Sequence, residues 1–369
     1  MAKTRPRFQA ESIIKTWPMV LLGDVCEVRA GANYKDVEDP NGRYPIYGTG
    51  GIMGRASQYR CPAHSVIVGR KGTLDNPFLV HEPFWNIDTC FGVVPSGKIV
   101  PEYLFRFCQG FDFYSLVPAS GRPSTTSDAV RSIEIPLPPL SVQREIVARL
   151  ERELAAVEKM KKGFEALAET AKAEFKAELK EVFEEDCSCE KTWDEVFYTT
   201  TGKLDSNCAI SDGKYPFFTC SKEVLRINEW AFDCEALLLA GNNAAGKYDV
   251  KHYVGKFNAY QRTYVLTLKN ADWEYKLFQA QLENLLQYLQ DKSKGTGTRY
   301  LTMGILRTLR FYVPEPFVQR EVVARLDGAK AKAEKLEAKA QEGVAVCETM
   351  RKAILKEAFS PYGAGEVAL

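Results

Sequence analysis

The sequence predicts an α+β fold: two strand-rich globules in tandem repeat, separated by two long helices that form an antiparallel coiled coil with pseudo-two-fold symmetry. Three observations predict it. The segment Val142–Leu150 returns as Val318–Leu326, 176 residues later, with eight of nine positions identical. The match continues without a gap to Lys176–Phe183 against Lys352–Phe359, over a stretch rich in Ala, Glu, Lys and Leu. Upstream, Gly42–Tyr47 answers Gly213–Phe218 at an offset of 171. A repeat of this length fixes the order globule, helix, globule, helix before any single motif is weighed.

Taken in order, residues 1–16 form an N-terminal tail and 17–139 the first globule. Val66-Ile67-Val68 is an apolar run bounded by turn residues, the pattern of a buried strand. Residues 140–185 read as the first long helix, which starts after Pro138-Pro139. Its apolar positions Val147, Leu150, Leu154, Val157, Phe164, Ala168, Ala171, Phe175 and Val182 alternate at steps of three and four, broken only by Lys161. The second globule, 186–315, repeats the strands, with Leu237-Leu238-Leu239 answering Val66–Val68 and Glu274–Phe278 answering Glu102–Phe105 with one slip. The second helix, 316–360, carries the seam Leu326, Ala329, Ala333, Leu336, Ala340, Gly343, Cys347, Met350 and Ile354, and 361–369 is a C-terminal tail. At 1.5 Å per residue each helix would be about 66 Å long, far beyond an ordinary surface helix. Connectivity then requires the second helix to run back along the first, with a globule at either end, copying the symmetry of a dimer inside one chain.

Composition narrows the function classes. Formal charge is +1 over 369 residues, so no global positive field advertises nucleic acid. Ten cysteines show no CxxC pair; Cys187-Ser188-Cys189 is the only close spacing and reads as a linker. Scattered thiols suit a reducing cytosol, and neither a signal-peptide core nor an apolar run of membrane length is present, so a soluble cytoplasmic protein is expected.

Motifs for catalysis fall short. Gly241–Lys247 fits the first seven places of a phosphate loop, but Tyr248 stands where Ser or Thr must hold magnesium. Asp75-Asn76-Pro77-Phe78 is one proline short of the tetrad with which adenine methyltransferases hold a flipped base. His64, His81 and His252 have no partner set repeated in both halves. A duplicated body without a duplicated catalytic or metal set is expected to bind or to scaffold. These residues alone leave open a coiled-coil interaction scaffold with no DNA role.

Ile135–Leu140, with its prolines, followed by Gln143 and Ile146, resembles the lead into the long helix of specificity subunits of type I restriction–modification systems. Gly121–Thr126 and Gly295–Leu301 resemble that family's Gly-rich loop before its last strand. The resemblance spans residues 17–360. It departs at Val142 and Val318, where the family often has Glu, and at Glu315, which replaces a proline. It implies that each globule is a target-recognition domain reading one half of a split, asymmetric duplex-DNA target. The helices would set the unread spacer and carry two methyltransferase subunits together with restriction/translocase subunits. The chain itself would hold no cofactor; S-adenosylmethionine, ATP and Mg would belong to those partners. Each globule must then supply phosphate contacts for affinity and side chains for base edges. The candidates are Arg43, Tyr47, Arg55, Arg70, Lys71 and Arg122 in the first, and Lys214, Lys222, Lys247, Arg262, Lys292, Lys294 and Arg299 in the second.

Overall fold

A computed structural model describes residues 17–118, 123–184, 190–244, 246–295 and 297–359. The chain divides into two compact units, 1–165 with 341–369 and 166–340, so each unit takes part of both long helices. Among the described residues no helix is long and apolar enough to cross a membrane.

The first unit runs β1 (Met19–Leu21), α1 (Leu22–Val25), β2 (Cys26–Ala30), β3 (Tyr44–Gly48), β4 (Gly51–Ala56), β5 (Ser65–Gly69), β6 (Phe78–Val80), β7 (Trp85–Asn86), β8 (Cys90–Pro95), α2 (Pro101–Gly110), α3 (Ser127–Arg131), β9 (Glu134–Pro136) and the start of α4 (Leu140–Glu184). A four-stranded sheet β2-β8-β5-β6 lies beside a three-stranded sheet β4-β3-β7. Val66, Val68, Phe91 and Val93 bury one face of the former against α2 (Tyr103, Leu104, Phe107).

The second unit holds the rest of α4, then β10 (Glu190–Thr192), α5 (Trp193–Val196), β11 (Phe197–Thr201), β12 (Tyr215–Phe218), β13 (Leu225–Ile227), β14 (Phe232–Ala240), β15 (Asn242–Asn243), β16 (Val250–Ala259), β17 (Thr263–Leu268), α6 (Tyr275–Asn284), α7 (Leu286–Lys292), β18 (Arg299–Tyr300), α8 (Met303–Leu306), β19 (Arg310–Tyr312) and the start of α9 (Pro316–Ala358). Here one six-stranded sheet, β11-β17-β14-β16-β12-β13, does the work of the two sheets in the first unit. The ten-residue β16 replaces β6 and β7, which are separated by a segment containing Pro83, a residue that cannot donate to a ladder. Both units share a parallel strand pair, β3 with β7 and β12 with β16.

The long helices pair antiparallel inside each unit. In the first, Lys161 Nζ meets Glu348 Oε1 at 2.5 Å, and Phe164 packs on Gly343. In the second, Lys332 pairs with Glu174 (3.2 Å) and Arg325 with Glu178 and Glu181. The expected break at Lys161 is thus an ion pair. One expected seam residue is displaced: Met350 is 40% exposed, whereas Leu355 is buried. The reason is that the end of α9 packs on α2, with Leu355 against Gly110, which turns its buried face by about one residue.

The repeated Gln of the duplicated segment explains how helix joins globule. Fully buried Gln143 accepts from Val100 N (2.8 Å) and donates to Pro138 O (2.8 Å) and Lys98 O (3.2 Å). Gln319 does the same with Glu274 N (3.0 Å) and Pro314 O (2.7 Å). Val100 and Glu274 are the N-caps of α2 and α6, and neither has a side-chain cap of its own. A long-helix Gln therefore supplies from outside what the third helical residue supplies in a capping box.

Candidate nucleic-acid interface

Several loops meet on one rim of each globule. In the first, the turn after β5 is held from two sides: Arg70 N donates to Thr89 O (2.8 Å) and Thr125 N to Arg70 O (2.9 Å). In the second, the turn after β14 repeats both bonds, Gly241 N to Arg262 O and Leu301 N to Gly241 O, each 2.8 Å. A Cβ on Gly241 would lie 2.3 Å from Arg262 O, so only glycine allows this approach. The single bridge Lys71–Ser124 of the first globule grows into the β15–β18 ribbon of the second, with Asn242 opposite Tyr300 and Asn243 opposite Arg299. Thr126 and Thr302 then cap α3 and α8 at equivalent places.

These rims gather some of the candidate residues. Arg70 lies over the Phe91 ring (5.7 Å) and donates to Asp88 O (3.3 Å); Lys71 pairs with the Asp88 carboxylate (3.4 Å), half exposed. On the second rim Lys247 and Arg262 are exposed in turns, and Lys294 exchanges both backbone bonds with Tyr300 (3.1 and 2.8 Å). Arg299 is half-buried beside Gly246. Exposed Lys222 joins through its loop, where Cys220 Sγ donates to Arg262 O (3.4 Å). Lys292 ends α7 over Tyr288 (5.7 Å), two residues before Lys294.

Others are placed elsewhere. Arg43 and Lys214 stand exposed at the feet of the β3–β4 and β12–β13 hairpins, each over the ring of the next tyrosine (5.9 and 5.3 Å). Arg55 spans that foot, donating Nε to Gly42 O (2.6 Å) and Nη2 to Arg43 O (2.7 Å). Arg226 makes the same two bonds to Gly213 O (2.9 Å) and Lys214 O (3.2 Å). Tyr47, nearer the hairpin's tip, meets the rim through its carbonyl, which accepts from Ile87 N (3.0 Å), while its ring is half-buried edge-on to Phe84 (5.6 Å) and burial raises its hydroxyl pKa. Arg122 lies outside the described residues.

The geometry also brings in residues that were not among the candidates: Asn242 and Asn243, which lie in the failed phosphate loop, and Tyr300, 40% exposed beside Lys294. The signal for Asn242 was its position, level in the repeat with Lys71. Among the described residues the stretch after Gly241 forms β15 and is followed by β16, not by the helix that a phosphate loop opens.

The family model of the type I restriction modification DNA specificity domain matches twice, over residues 14–164 and 189–344. The chain belongs to that family. Both repeats are therefore specificity domains, non-catalytic components of restriction–modification. A curated relative, the Type I restriction enzyme EcoDI specificity subunit of Escherichia coli, is 36% identical over 168 residues. That stretch covers 45% of this chain and 36% of the relative, so the match spans about a third of the relative's length. A solved structure titled for complex assembly and conformational transition of the type I R-M system shares the fold (TM-score 0.75, 20% identity), over 93% of this chain and 97% of the other. So does the HsdS subunit from Thermoanaerobacter tengcongensis (TM-score 0.57, 19% identity), over 93% and 96%.

Proposed function

We propose that this specificity subunit reads a bipartite, asymmetric duplex-DNA target, one half-site per globule, and scaffolds two methyltransferase subunits and the restriction/translocase subunits on its helices. The observation that carries the reading is a rim built twice on the same backbone bonds with different side chains. Arg70-Lys71 and Ser124 stand in one globule where Gly241-Asn242 and Tyr300 stand in the other. Exposed cations hold phosphates and fix register without carrying sequence information. Asn242 and Asn243 are the residue type that pairs bidentately with adenine N6 and N7, and Arg299 the type that pairs with guanine O6 and N7. Different groups on one frame suit two different half-sites, with α4 and α9 setting the unread spacer. S-adenosylmethionine, ATP and Mg are bound by the partners in this reading, and the assembly works in the cytoplasm.

The test is co-expression with the cell's methyltransferase subunits, followed by genome-wide mapping of methylated adenines. A split, asymmetric motif that disappears without this chain supports the reading. Stable co-purification without any methylated motif would leave only a scaffold.

A further inference from the structure

The β3–β4 hairpin turns at Gly48–Gly51, where Gly51 has φ +110°, and then carries Ile52 and Met53, 65% and 56% exposed. Consecutive strand residues ordinarily face opposite sides of a sheet. Here Ile46 pairs with Gly54 but Tyr47 pairs with Ile52, so Met53 is the extra residue of a β-bulge. Bulges re-aim side chains, and this one leaves two neighbouring apolar side chains in water. The hairpin belongs to the rim: Ile87 N donates to Tyr47 O (3.0 Å), and the next residues, Asp88 and Thr89, hold Arg70 and Lys71. The positions level with Ile52 and Met53 in the second globule are Glu223 and Val224, in a loop with Ser221 and Lys222, and the β12–β13 register has no slip.

We propose that Ile52 and Met53 form an apolar wedge that enters the DNA duplex at the half-site read by the first globule and partly unstacks one base step. Arg70 and Lys71 hold the neighbouring phosphates. This rests on the DNA-reading role proposed above. Duplex DNA is the fitting occupant for two reasons. The apolar hairpin is tied through Ile87 to the segment that holds Arg70 and Lys71, cations that complement a phosphate backbone, the pairing that wedge-inserting proteins use. Two side chains on a tight turn are also far smaller than the roughly 800 Å² per partner of a stable protein interface.

The experiment uses the full complex with its methyltransferase subunits and target duplexes found by methylation mapping. 2-Aminopurine is placed in turn at each position of both half-sites. The expected result is brightening at one or two adjacent positions of a single half-site. It is lost in Ile52→Ala/Met53→Ala, with affinity down about tenfold or more and contacts at the other half-site unchanged. That unchanged half-site shows that the variant is folded and assembled. Flat fluorescence with sequence-specific binding intact would overturn the wedge and leave the DNA-reading role standing. Loss of binding on uracil-for-thymine replacement without brightening would also overturn it, in favour of methyl contacts in the major groove. Failure of the unaltered complex to bind the mapped duplex specifically would overturn the reading itself.

Discussion

Replacing Gln143 by Ala tests how the first globule is fastened to its helix. The side chain is fully buried and makes three hydrogen bonds, to Val100 N, Pro138 O and Lys98 O. Alanine strands one donor and two acceptors in an interior with little water. Each unsatisfied buried group costs about 1–3 kcal/mol, less for carbonyls that can be partly rehydrated, so a total of about 2–4 kcal/mol is expected. In a unit of this size 1 kcal/mol moves the melting temperature by about 2–4 °C. The first unit should therefore melt roughly 5–15 °C lower, read by calorimetry of the purified chain. Gln319→Ala, which strands two groups, should lower the other unit's transition and by less. Gln143→Glu keeps the shape but turns a carboxylate oxygen toward two carbonyls. Burial and those carbonyls favour its protonated form, which can donate, so its folded pKa is raised. Its deficit should be largest at neutral pH and shrink as pH falls toward the ordinary glutamate value of about 4.3. A Gln143→Ala protein within about 0.5 kcal/mol of the parent would refute the reasoning, as would equal shifts of both transitions.

Arg55→Ala and Arg226→Ala should each cost their unit about 1.5–3 kcal/mol in denaturant titration, because each guanidinium ties two backbone carbonyls. Lysine should not restore the loss, since one ammonium cannot span both. In the DNA-bound complex, Arg70→Ala and Lys71→Ala should each reduce the slope of log K against log salt by about 1. Lys161→Leu with Glu348→Leu should leave the melting temperature unchanged or raise it. Their part-exposed ion pair contributes little because water screens it, and leucines extend the apolar seam. Burial raises the Cys61 thiol to about 11 and the Cys90 thiol to about 12. Alkylation at pH 8 followed by peptide mass spectrometry should therefore modify exposed Cys208 and spare both. Because the folded values lie above the ordinary thiol value of about 8.5, this contribution to stability is complete below that pH. It is lost as pH climbs toward 11–12, and urea midpoints at rising pH should show the decline.

Periodicity made the helices and the duplication legible, because α4 and α9 have little but a seam and charges to display. The strand pairing was legible as hydrophobic runs but not as topology. Nothing in the sequence around His81–Phe84 announces that one ten-residue strand in the second globule is two short ones in the first, except Pro83. The rim was half legible. Charge drew attention to Lys71 and Lys294, but charge cannot separate Arg70 on the rim from Arg55, whose donors serve the hairpin's own backbone. That difference depends on which carbonyls lie in reach, a three-dimensional fact. Met350 was misplaced for a related reason: a spacing rule knows the partner helix but not α2, which claims Leu355.

Phe164 rests on Gly343, where an added Cβ would come within 2.5 Å of its ring. Carried to the same places in the repeat, those two positions are Ala340 and Leu167, so bulk and gap are exchanged. Two helices that share a seam spacing and their end segments face a problem of self-recognition, because each could meet its own twin in a second molecule. If α4 met another α4, Phe164 would confront Leu167 in place of a bare backbone. One ring and one missing side chain thus act as a tooth and a notch that match α4 to α9 and not to a second α4.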